Sequence, residues 1–241
     1  MIGRRTFLLA AGSAAALLPT RPALAASGAE WRIKEAMEHA GGWRALERVN
    51  LLKWQGRGVV YAAGRQLDIG VSTTVAPFEW AKSDSWLLSQ GPSATRSMLI
   101  TRDGGWEVTP TGRTPLAPGI VAHERDQFAI YGMMLLAPLL KPRVVLRSPP
   151  KDEHGRDRGY RRIEVLHPRA PRTTLLFDGD WRLYGAENVV PEPEGEGKIA
   201  QRFLFSSETM PGPIRWPKRM SIEHDGRLVF QLELSSFEAL G

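Results

Sequence analysis

Five histidines, His39, His123, His154, His167 and His224, are the residues best suited to acid–base or metal chemistry in a chain of 241 residues without cysteine. No two of them stand at metal-ligand spacing, and His123-Glu124-Arg125-Asp126 lacks the second histidine of a zinc-protease helix. His123 and Asp126 could make a general-base pair in which the carboxylate orients the imidazole. A helix-start cap and surface charge account for the same residues equally well. The chain contains no Gly-x-Ser-x-Gly nucleophile elbow and no phosphate-binding glycine loop. Acidic pairs such as Asp152-Glu153 stand in a charged stretch, residues 151–158, that reads as solvated surface. The lack of cysteine excludes disulfides, thiolate metal sites, a cysteine nucleophile and attachment through a lipidated cysteine. Catalysis has no positive support, and no metal or cofactor is expected.

The chemistry that remains is apolar binding, and it centres on Phe128-Ala-Ile-Tyr-Gly-Met-Met-Leu-Leu-Ala-Pro-Leu-Leu140. Read as a helix from about Gln127, this run is apolar around its whole circumference, so a single buried face would not satisfy it. It is too short to cross a bilayer, which takes about 20 apolar residues. Something must surround it. Pro138 lacks an N–H and restricts the residue before it, so the helix should end near Leu136. Met133 and Met134 fit a wall that accepts variable apolar partners, although methionine more commonly just fills a core.

The surrounding elements are strands. From Leu51 the apolar period changes to two, and a two-residue loop at Ala63-Gly64 pairs Val60 with Leu67, Gly58 with Ile69, Gly56 with Val71 and Trp54 with Thr73. Gly56 and Gly58 lie on the apolar face, where they mark curvature or room left for a ligand. Strand-like pieces continue through residues 77–90 and 97–101, and the Pro- and Gly-rich residues 110–119 read as loop. After Pro142, strands are predicted at residues 144–147, 160–166, 173–177, 181–185, 186–190 and 198–206. The last hairpin is predicted to turn through three residues, His224-Asp225-Gly226, pairing Ile222 with Leu228 and Met220 with Phe230. Upstream, Ile33, Ala36, Met37 and Ala40 form one helical stripe after a Ser27–Glu30 capping box and before Gly41-Gly42. A short second helix is expected over residues 43–49.

Residues 1–26 read as a cleaved export signal: Arg4-Arg5 with Phe7 and Leu8 behind them, an apolar segment, then Ala23-Leu24-Ala25. The pattern resembles a twin-arginine signal, with a general secretory signal as the alternative. Formal net charge is +6, and removing Arg4, Arg5 and Arg21 leaves +3 with no basic stripe, so nucleic acid is not an expected partner. The composition, 42% hydrophobic and 24% charged, is that of an ordinary globular protein.

This order of elements, with Thr173-Thr-Leu-Leu-Phe-Asp-Gly-Asp-Trp-Arg-Leu183 and Arg215-Trp-Pro-Lys-Arg-Met-Ser-Ile-Glu-His-Asp-Gly-Arg-Leu228, resembles the LolA/LolB-like superfamily of bacterial lipoprotein localisation factors. The resemblance implies an α+β fold over residues 27–241. Its core would be a strongly curved antiparallel sheet, an incomplete β-barrel of about 10–12 strands, with an N-terminal helix and the central apolar helix covering the concave face. It also implies a periplasmic carrier of a lipid or acylated molecule, with no membrane span in the mature chain and an envelope protein as a possible delivery partner. Family carriers often have a basic residue before the proline of the early strands, where Ala76-Pro77-Phe78-Glu79 has alanine, with an acid close behind. The expected ligand-binding residues are Trp54, Val71, Trp80, Trp86, Met133, Met134, Leu136, Phe230 and Leu232. A ligand-free envelope scaffold is the alternative reading, and a hydrolase of envelope material ranks third.

Overall fold

The structure is a computed structural model that describes residues 26–62, 64–148 and 161–241. The expected export signal, apart from Ala26, and the charged stretch with His154 lie outside the described residues.

Helix α1 (Ala26–His39) buries Ile33, Ala36 and Met37, the stripe its sequence predicts. It stops at Gly41 and Gly42, both at positive φ, and the Gly42 N–H bonds back to the Met37 carbonyl at 2.8 Å. Helix α2 (Trp43–Arg48) follows directly. The chain then forms strands β1 (Leu51–Ala62), β2 (Arg65–Ala76), β3 (Trp80–Leu87), β4 (Arg96–Thr101), β5 (Gly105–Thr109) and β6 (Gly112–Pro115). Helix α3 (Pro118–Met134) crosses next and is followed by β7 (Val145–Arg147), β8 (Arg161–Leu166), β9 (Thr173–Phe177), β10 (Leu183–Pro191) and β11 (Lys198–Phe205). A small pair, β12 (Thr209–Met210) and β13 (Trp216–Pro217), precedes the hairpin of β14 (Arg219–His224) and β15 (Arg227–Leu240).

Thirteen strands share one antiparallel sheet in the order β6-β5-β4-β3-β2-β1-β15-β14-β11-β10-β9-β8-β7, which leaves β6 and β7 as edges and does not close. The α+β incomplete barrel expected from sequence is therefore observed, with one strand more than the upper estimate. The last strand pairs with the first, so both halves of the chain meet in the middle of the sheet.

The β1–β2 hairpin has the predicted register at every named pair. Gly56 marks a bulge, because β15 skips a residue opposite Gln55/Gly56. A Cβ on Gly56 would lie 2.3 Å from the Glu233 carbonyl oxygen, so close backbone approach, not space for a ligand, requires glycine there.

The last hairpin corrects the sequence reading. Its turn has two residues, Asp225 (φ 48°) and Gly226 (φ 75°), with His224 opposite Arg227. Both central residues at positive φ match the twist of the flanking strands. A bulge at Val229 then places Ile222 opposite Phe230 and Met220 opposite Leu232. The apolar faces are brought into register by the bulge rather than by a longer loop.

Helix α3 also starts earlier than predicted, at Pro118 instead of near Gln127, because Pro at the first helical position initiates a helix as readily as it marks a loop. Its end is where Pro138 requires: the helix stops at Met134, Leu136 takes φ 61°, and a 3-10 turn (Ala137–Leu140) follows. Every residue from 129 to 137 is buried. The all-round apolar segment is thus enclosed on all sides, by the curved sheet and by α1. Each large apolar side chain placed there contributes about 1.5–3 kcal/mol.

Candidate functional site

The concave interior is filled by α3 itself. Tyr131 lies 4.8 Å from the Trp54 ring and 6.3 Å from Trp216, and its hydroxyl donates to Met220 Sδ at 3.7 Å. Trp216 in turn stacks on Phe237 at 4.9 Å and 8°. Burial keeps the Tyr131 phenol neutral by raising its pKa well above the usual value.

Space remains at the mouth of the half-barrel. The turn between β2 and β3 carries Phe78 at φ 63°, which aims its ring inward onto the backbone of α3. A Cβ on Gly132 would sit 2.5 Å from that ring, so glycine is what lets the turn lie on the helix. From the other half of the sheet, the loop after β8 brings His167 to stack on Phe78 at 4.0 Å and 21°. Arg169 of the same loop pairs with Glu79, which Arg102 also approaches at 4.0 Å. This clasp spans the opening. Beneath it lies a cleft of about 450 Å³, with Val75, Ala81, Ile100, Phe128 and Ala129 below and Glu79, Arg102, Arg125, Asp126 and Arg169 at the rim. The volume falls in the range of small-molecule sites.

His167 is held down to about pKa 4, chiefly by burial and further by Arg169 and Lys141. Since the folded state favours the neutral imidazole, the unfolded chain takes up the proton first as pH falls through about 6.5. Stability present above that pH is lost on the way down to about 4. Replacing His167 by Phe preserves an aromatic stack and removes this loss, on the order of 1 kcal/mol after solvent screening. Urea midpoints of both proteins at about pH 7 and pH 4.5 check it; an equal acid loss in the two would count against the assignment.

A second polar group lies between α3 and the sheet. Asn188, Gln201 and His224 form a row across β10, β11 and β14, beneath His123 and Gln127 of α3. His123 donates from Nδ1 to the Pro191 carbonyl at 2.8 Å, and Gln201 Nε2 reaches both Gln127 Oε1 and His224 Nε2 at 3.0 Å. Burial, with the charge of His123, lowers the His224 pKa, while Asp225 opposes. The proposed His123–Asp126 pair does not form. Asp126 turns to the cleft beside Arg125, and its carboxyl is raised by burial against the pull of Arg125 and His123. Among the described residues no group of three His, Cys, Asp or Glu side chains is placed to hold a metal ion.

The predicted ligand residues divide by position. Trp54, Val71, Met133, Leu136 and Leu232 are buried inside the sheet, Met133 at 0% exposure and Leu136 at 1%. Met134 and Leu136 border a smaller cavity of about 170 Å³ at the end near α1 and Trp216. Phe230 is half-buried, with its ring against Gly58. Trp80, 38% exposed, lines the mouth cleft. Trp86 lies apart from all of these: its ring covers Gly70, on the opposite face of β2 from Val71 and Thr73. The sequence reading missed Phe78, His167, Arg102, Arg125 and Arg169. Glu79, the acid that departs from the carrier pattern, signalled the place together with Trp80 and Asp126, which also line the cleft.

No protein-family model matches the chain, and no curated protein matches it. Among solved structures, a LolA superfamily protein of Nitrosomonas europaea superposes with a TM-score of 0.53 at 12% identity, covering 91% of this chain and 94% of that one. The fold is LolA-like. A domain described as outer membrane lipoprotein-sorting, from Vibrio parahaemolyticus, gives TM-score 0.53 at 11% identity, with 89% and 93% covered. A DUF1329 family protein of Desulfovibrio piger gives TM-score 0.53 at 9% identity, with 88% and 92% covered. The LolA-like fold thus extends over nearly the whole described chain. No helix among the described residues is long and apolar enough to cross a membrane.

Proposed function

We propose that the protein is exported to the periplasm and there binds a lipid, acyl chain or other amphiphile, as a carrier or chaperone of the cell envelope. The observation that carries this reading is the mouth cleft, which sets Phe78 and Phe128 beside a charged rim and opens where the β2–β3 turn faces the loop after β8. The LolA-like fold supports it, as does the lipoprotein-sorting description of the Vibrio domain. Catalysis is not proposed.

Native mass spectrometry of the exported chain, purified without detergent and then mixed with amphiphiles, tests the proposal. The expected result is a bound amphiphile that is lost in Ala129→Phe, which fills the cleft from the helix side while circular dichroism stays unchanged. A polypeptide that remains ligand-free with every amphiphile supplied would defeat it. One observation favours the ligand-free scaffold instead: Trp54, Met133 and Leu136 are already enclosed by protein. In that case the same spectra show bare protein, and crosslinking recovers a stable envelope partner.

A further inference from the structure

The rim of the mouth cleft is charged in a particular proportion. Arg102, Arg125 and Arg169 face two carboxylates, Glu79 and Asp126, so the rim carries one positive charge in excess. The three arginines are not equivalent. Arg169 is committed to Glu79, where the pair holds the clasp across Phe78 and His167. Arg102 comes no nearer to Glu79 than 4.0 Å, and its side chain is 57% exposed. Arg125 approaches Asp126 through Nε at 3.9 Å, and among the described residues no hydrogen bond engages its two terminal nitrogens, which are left for another acceptor. An arginine fork matches an oxyanion with two parallel donors.

We infer that the cleft selects an amphiphile with a monoanionic oxygen head, a carboxylate or a phosphodiester, bound by Arg125 and Arg102 with its apolar tail against Phe128 and Phe78. The inference rests on the carrier reading and adds the charge of the ligand's head to it. One negative charge neutralises the rim. A cationic head would meet unmatched guanidinium groups, and a second negative charge would face Glu79 and Asp126. Val75, Ala81 and Ile100 below the cleft are already almost fully covered, so the tail rests on the outer aromatic rings unless the clasp opens.

Four ligands of one chain length test this on the exported full chain: dodecanoate, dodecanol, dodecyltrimethylammonium and dodecanoyl-lysophosphatidylglycerol, titrated below their micelle concentrations. An anion should bind about tenfold more tightly than the alcohol, the gain of one charge-assisted hydrogen bond, and the ammonium most weakly. Whether the fatty acid or the lysophospholipid leads separates the two sources of the head. Arg102→Ala with Arg125→Ala should abolish the anion's advantage and leave dodecanol unchanged. Arg125→Lys, which keeps the charge but not the fork, should retain part of it. Binding of both anions, dodecanoate and the lysophospholipid, no tighter than that of dodecanol would overturn the head-group selectivity while the carrier reading stands. Binding of none of the four would overturn both.

Discussion

Trp216→Ala is expected to cost about 4 kcal/mol of unfolding free energy, read as a lower urea midpoint with an unchanged slope. Trp216 is 1% exposed and belongs to β13, a two-residue strand outside the main sheet. Its indole lies flat on Phe237 of β15 and contacts Trp54 of β1 and Tyr131 of α3. Removing it therefore leaves a cavity where the small strand pair, the sheet and the central helix meet, and three neighbouring rings lose contact atoms at once. Trp216→Phe separates two contributions. It keeps much of the stack, and it removes an indole N–H that has no acceptor among the described residues. That variant should lose less than half as much as alanine. An alanine variant within about 1 kcal/mol of the parent would show that the helix is held in the sheet by other contacts.

The parts of this fold that can be read from sequence are those in which several local signals agree. In β1–β2, the turn length, the period of two and the apolar face all specify one register, and that register is observed. In β14–β15 the Asp-Gly turn and the apolar face conflict, and sequence alone does not show whether a longer loop or a bulge resolves them. The segment 129–137 was legible because apolarity on every side has one physical solution, complete enclosure. The mouth cleft was not. Glu79 and Arg169 are 90 positions apart, and their pairing follows from how two distant loops cross the opening rather than from any spacing. The inward methionines and tryptophans were chosen for apolarity and face, which identifies a core. The remaining space is decided by Phe78 turning at positive φ and by Gly132 admitting it.

Glu124→Gln is expected to stabilise the protein by about 2 kcal/mol at pH 8, the reverse of the usual result of replacing a charged residue on a helix. Glu124 lies on α3, two turns before Tyr131, and makes no hydrogen bond or ion pair among the described residues. The residue keeps some exposure as a whole, but its carboxyl group is poorly solvated, and burial pushes its pKa up to about 7 from 4.5. The folded state thus binds the proton more tightly than the unfolded chain does. As pH rises from 4.5 the unfolded chain ionises first, and the cost of the charge in the folded state is complete above about 7. The gain from glutamine should accordingly vanish near pH 4.5 and grow to a plateau at pH 8, which urea unfolding across that range measures directly. This slope is opposite to that of His167, whose burial costs stability at acid pH. The two groups together narrow the pH range of greatest stability from both sides. Their origins differ: His167 gains a stack on Phe78 in exchange, whereas Glu124 gains no partner. An unpaired acid kept at such a cost on the element that fills the barrel makes the inner face of α3 less stable than its apolar half alone would be. If the glutamine variant gains nothing at pH 8, the carboxylate is solvated through the mouth, and α3 must then stand further from the sheet at its N-terminal half than at residues 129–134.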